Sequence, residues 1–216
     1  MRNNIKIESE YVLAVEGRDE VEFFKALLKY EKITSAKIQI IDINGKDKFK
    51  RNIEILSKSD GFGDIQAIGF VRDAEKNSAN SAFESICYIL KNNHIPNPKN
   101  IEEIIESHDM KVGIFIMPDN ENEGMLEDLC LCSVTTDPIY ECMENYLECC
   151  APYIAKNLNI PKAKLQAYEA PAKIEAYLAA KHKIVDSVGL GAQKKHWDFD
   201  HSCFDKVRYF LHQLFD

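Results

Sequence analysis

Two hydrophobic patterns alternate over the first half of the chain. Short unbroken apolar runs are each followed by a longer stretch with apolar residues every three or four positions. "YVLAVEG" from Tyr11 is the first run, and "DEVEFFKALLKY" after it places Val21, Phe24, Leu27 and Leu28 on one helical face. "KIQIIDI" (Lys37 to Ile43) is a second strand candidate, followed by a helix over "GKDKFKRNIEILSKSD" that runs into glycines. "IQAIGFVRDAE" (Ile65 to Glu75) is a third strand, and "SANSAFESICYILKNN" a helix capped by Asn77 or Ser78. "IEEIIESHD" reads as a short helix, and "MKVGIFIMPD" (Met110 to Asp119) as the fourth strand. Apolar runs of this kind suit strands buried on both faces, and strand–helix alternation suits a parallel sheet with right-handed crossovers.

From Met125 onward the spacing is helical throughout, in "MLEDLCLCSV", "YECMENYLECCAPYIAKNL", "AKIEAYLAAKH" and "FDKVRYFLHQLF", punctuated by Pro152, Pro161 and Pro171. The expectation is an α/β fold: a mainly parallel four-stranded sheet flanked by helices over residues 1–124. A helix-rich C-terminal extension, 125–216, packs on that core as part of one compact domain.

Composition narrows the function. The 216 residues are 45% hydrophobic, enough for a core without staples. A net charge of −8 argues against a broad basic surface that grips nucleic acid nonspecifically. Basic residues outnumber acidic ones only in the last third, so a local polyanion contact belongs there. The seven cysteines are odd in number and contain no C-x-x-C, and read as reduced, mostly buried thiols. No run approaches a membrane span and the N-terminus lacks a leader-like apolar stretch, so a soluble cytoplasmic protein is expected.

The chemistry sits where strands end. Glu16 closes the first strand, Asp73 and Glu75 the third, and Asp119 the fourth. In an open parallel sheet these ends share one edge, where ligands bind. Carboxylates gathered there repel one another unless a divalent cation lies between them. Asp73 and Glu75 point to one side if the strand continues, and Glu16 and Glu20 share a face if a helix begins between them. Oxygen ligands favour Mg²⁺ or Mn²⁺, and no His/Cys spacing suggests zinc.

"VLAVEG" followed by "GFVRDAE" resembles the TOPRIM domain of topoisomerases, primases and related nucleases, with its Glu-Gly after one strand and D-x-D after a later one. The Glu16-x-x-x-Glu20 spacing and "PDNENEGMLEDL" resemble the OLD-nuclease branch and small stand-alone TOPRIM-like proteins, over roughly residues 10–130. The resemblance implies a TOPRIM/Rossmann-like fold and metal-dependent phosphodiester cleavage. Glu16, Asp73 and Glu75 would be catalytic, and Glu16, Glu20, Asp73, Glu75 and Glu127 would hold Mg²⁺ or Mn²⁺, with Asp119 and Asp128 competing with Glu127. It also implies a nucleic-acid substrate and a separate ATPase partner, as in phage defence or DNA repair, since the chain has no P-loop. A homo-oligomer is compatible with the sequence. The chain departs from the pattern in having Glu75 as the second acid of D-x-D and no glycine soon after. The alternative is a regulatory or interaction module that keeps the fold and binds metal or nucleotide without turnover.

Lys46, in "INGKDKFKRN", and Lys194 and Lys195, in "GLGAQKKHWDFDH", are candidate phosphate contacts. The Gly-x-Gly of the second stretch lacks the strand-to-helix setting of a dinucleotide site. Trp197 reads as a core anchor, and His196 and His201 as structural or surface residues.

Overall fold

The structure, a computed structural model, describes residues 5–33, 37–158 and 169–216; the side chains of Lys46, Asp47, Asn157, Leu158 and Glu169 lie outside that description. Among the described residues β1 (Tyr11–Val15), α1 (Arg18–Tyr30), β2 (Ile38–Asp42), α2 (Lys46–Ser57), β3 (Ala67–Asp73) and α3 (Ala79–Asn92) alternate as the apolar pattern predicts. β4 (Ile104–Ser107) and β5 (Met110–Met117) follow, then α4 (Leu126–Cys132), α5 (Pro138–Leu158), α6 (Glu169–Ala179), α7 (Val188–Gln193) and α8 (Asp205–Phe215).

The sheet has five strands, not four, in the order β2-β1-β3-β5-β4. β2, β1, β3 and β5 are parallel, and β4 is antiparallel to β5. β4 occupies the stretch that sequence periodicity reads as a short helix. Ile101, Ile104 and Ile105 have helical spacing, but His108 and Asp109 both take positive φ, 52° and 62°, and close a tight hairpin that pairs Ser107 with Met110. Pairing with β5 along its open edge outweighs a weak local helical pattern.

Alternate strand residues feed two separate cores. On one face Val12, Ala14, Ile68, Phe70, Val112, Ile114 and Ile116 pack with α2 and α3. On the other, Leu13, Val15, Val71, Phe115 and Met117 pack with α1 and with residues of α4, α6, α7 and α8. Residues on both sides of position 124 thus share one core. α8 lies directly on the sheet because Gly69 and Gly113 leave room: a Cβ would come within 2.7 Å of Leu214 at the first and 2.8 Å of Phe210 at the second. Ser78 caps α3, its hydroxyl accepting from the Ser81 amide at 3.2 Å.

The Gly-x-Gly of residues 189–191 also serves packing. A Cβ at Gly189 would stand 2.4 Å from the Asp19 carbonyl oxygen, and one at Gly191 2.8 Å from the Trp197 ring. Trp197 is buried and donates Nε1–H to the Val188 carbonyl at 2.9 Å. α7 is thereby held against the first turn of α1. All seven cysteines are free, but only Cys130 is buried, which corrects the expectation of mostly buried thiols. No described helix is long and apolar enough to cross a membrane.

Candidate metal centre

β1, β3 and β5 end together at one edge of the sheet. Asp73 is level with Met117, and Ala14 with Phe70, which puts Glu16 beside the last residues of β3. The Glu16 carboxylate accepts from the Asp73 backbone amide at 3.3 Å, tying the ends of β1 and β3. Arg72 and Asp73 point to opposite faces. The Arg72 guanidinium is buried 5.7 Å from the centre of the Phe49 ring, while Asp73 faces α1 and α4.

α1 starts at once after Gly17, so Glu20 falls in its first turn. Any side chain at residue 17 would crowd it: a Cβ there would be 3.1 Å from Glu20 Oε2. The Glu-Gly pair therefore lets two carboxylates, Glu16 and Glu20, approach each other over the end of β1.

The loop after β5 supplies the third side. Glu75, at φ 56°, exchanges two backbone hydrogen bonds with Gly124 (2.7 and 2.8 Å). This bridge sets the start of α4 against β3, and the Leu126 amide donates to Asp73 Oδ1 at 3.1 Å. The three candidates in this region then separate by role. Asp128 caps α4, with Oδ2 accepting from the Met125 amide at 2.9 Å. Asp119 closes its own turn, accepting from the Glu121 and Asn122 amides and the Asn122 side chain. Burial raises its pKa, but those bonds and Lys206 outweigh it and hold the carboxyl below its usual range. Glu127 turns toward Glu20 and Asp73.

The electrostatics report the convergence. Burial raises the Asp73 pKa well above the usual carboxylate value, and the charges of Glu20, Glu16 and Glu127 add to it against the Leu126 amide. Burial also lifts Glu20, to about 7, with Glu16, Glu127 and Asp19 contributing. Glu127 is raised by burial, then by Asp19 and Asp128. The charges named on these three groups are all acidic. Asp19, which sequence reasoning passed over, belongs to the same cluster; its only sequence signal is its place beside Glu20 in the first turn of a helix.

β3 ends at Asp73 and Glu75 takes a left-handed conformation, so the two acids do not share a side by strand alternation. Lys194 caps the C-terminus of α7, and Lys195 lines a cavity with Asp137, Tyr177, Lys181 and Trp197. The Lys46 side chain lies outside the described residues. A second grouping was not visible in the sequence: Cys132, His201 and Cys203 bring their ligand atoms within 4.8 Å of one another, a His/Cys cluster where none was expected.

Fold and site together define an α/β protein with carboxylates gathered at the carboxyl edge of a mainly parallel sheet. The chain belongs to the family described as "protein of unknown function (DUF3226)", which matches residues 10–216. Searches of curated proteins and of solved structures find no match.

Proposed function

We propose that this protein is a Mg²⁺- or Mn²⁺-dependent nuclease or phosphodiester-transfer protein, of TOPRIM type and near the OLD branch, acting with a separate ATPase. The observation that carries the reading is the shared environment of Glu16, Glu20, Asp73 and Glu127. The charges of Glu16, just past β1, and Glu127, on α4, raise the pKa of both Glu20 and Asp73, and Glu20 also raises Asp73, at the edge where parallel sheets bind ligands. Such a donor set fits a hard divalent cation, whose charge would reverse the repulsion and hold all four ionised at neutral pH.

Asp73, Glu16, Glu20 and Glu127 would hold the ion. Its chemistry when bound is Lewis-acid activation of water and of a phosphoryl oxygen. The chain's own part is orientation. The Leu126 amide fixes Asp73 and the Asp73 amide fixes Glu16, so the first ligands cannot swing apart. Glu20, poised near neutrality, can carry a proton at its carboxylate when the site is not fully charged.

The test is cleavage of supercoiled plasmid and of an RNA oligonucleotide with Mn²⁺ or Mg²⁺, with and without an ATPase partner. The expected result is nicking that Glu16→Gln and Asp73→Asn each reduce at least about 100-fold. Cleavage that survives both substitutions contradicts the reading. A second reading, a non-catalytic module that binds metal or nucleotide, draws on Glu75, whose left-handed backbone departs from a D-x-D carried on a strand. It predicts ion binding at the same acids with no cleavage of either substrate.

A further inference from the structure

Sequence spacing gives no hint that Cys132 meets His201 and Cys203. Cys132 is the last residue of α4, His201 caps the short turn Ser202–Phe204 that leads into α8, and Cys203 is the middle residue of that turn. Their ligand atoms lie within 4.8 Å of one another. Ligands around a tetrahedral zinc ion sit about 3.5–3.8 Å apart, so rotamer adjustments of about 1 Å complete the arrangement. The donors are two sulfurs and an imidazole nitrogen, which select zinc-like ions over magnesium. His201 Nδ1 accepts from the Cys203 amide at 3.2 Å, so it carries a lone pair and the ring proton sits on Nε2. Cys132 is exposed, so an ion can enter from solvent.

We propose that Cys132, His201 and Cys203 form a binding site for Zn²⁺ or a similar soft divalent ion, separate from the carboxylate cluster. On uptake each thiol releases its proton to solvent and each sulfur forms a bond to the ion. His201 gives up the hydrogen bond that Nδ1 accepts from the Cys203 amide, bonds to the ion through that freed lone pair and keeps its proton on Nε2. Three protein ligands leave the fourth position to water. Because each thiol must lose its proton to bind, the metal competes with protons and binds more tightly at higher pH. The ion would staple α4 to the entry of α8, and α4 is the helix that presents Glu127 and the Leu126 amide to Asp73.

The test uses the full chain, reduced and freed of metal with a chelator, titrated with Co²⁺ and then with Zn²⁺. One Co²⁺ per chain should bind with a near-ultraviolet sulfur-to-cobalt band that Zn²⁺ removes. Calorimetry in two buffers should show release of about two protons per zinc. Cys132→Ser and Cys203→Ser should each weaken zinc binding more than about tenfold, whereas Glu16→Gln should leave it unchanged. Cys132 is exposed, so its variant tests the site without disturbing the core, and circular dichroism of each variant checks folding. No thiolate band in the folded wild-type protein overturns the proposal. So does a band that persists in both serine variants but disappears in Cys149→Ser or Cys150→Ser.

Discussion

Glu20 shows most clearly what this arrangement of acids costs the metal-free protein. Its pKa rises from 4.5 to about 7, first through burial and then through Glu16, Glu127 and Asp19. The folded state holds this proton more tightly than the unfolded chain. Below pH 4.5 both states are protonated and nothing is lost; as the pH climbs through 7 the folded state must ionise a buried, crowded group and loses stability. The rise corresponds to on the order of 3 kcal/mol as an upper bound. Glu20→Gln should therefore stabilise the metal-free protein above pH 7, by about 1–3 kcal/mol, and leave it unchanged near pH 4. Urea denaturation at the two pH values checks this. His212 works in the same direction: the hydrogen bonds it donates to Asp216 and Glu31 raise its pKa, so its contribution is present below the unfolded value and lost as pH rises through the folded one. That background is common to both proteins, and the difference between wild type and Glu20→Gln isolates the carboxylate.

Among the elements, the contact between α7 and α1 is the one on which the site most depends. α1 carries Asp19 and Glu20 in its first turn, and Gly189 seats α7 against the Asp19 carbonyl. Gly189→Ala would put a methyl group 2.4 Å from a backbone oxygen that has no rotamer to retreat into. The substitution should destabilise the protein by about 1–3 kcal/mol in urea unfolding, through overpacking. It should also weaken divalent-cation binding, because the first turn of α1 must shift. The apolar spacing predicts α1 but not α7, whose Gly-x-Gly reads in the sequence only as a poor dinucleotide match. The four parallel strands were readable because each is a short apolar run, and three of the four are closed by an acid. β4 was not, because Ile101, Ile104 and Ile105 repeat with helical spacing and its turn, His108–Asp109, lacks the usual Asn-Gly signal. Within α4, adjacent acids divide into Glu127 toward the cluster and Asp128 on the helix cap, and one-residue differences of that kind depend on where the helix begins.

At the scale of the whole molecule, parallel topology does most of the assembling. Glu16 and Asp73 are separated by 57 positions yet joined by a hydrogen bond, because β1 and β3 are neighbours that end together. That convergence could be read from strand ends alone. The meeting of Cys132 with His201 and Cys203 could not, since it depends on how α4 and the entry to α8 pack on the sheet. The central claim is that the four carboxylates form a cation site. It is tested most directly by calorimetric titration of Mn²⁺ into the wild-type protein and Asp73→Asn at pH 7.5. Saturable binding in the wild type that Asp73→Asn weakens more than about tenfold is the predicted result. Wild-type protein that binds no Mn²⁺, or binds it as tightly after Asp73→Asn, contradicts the account.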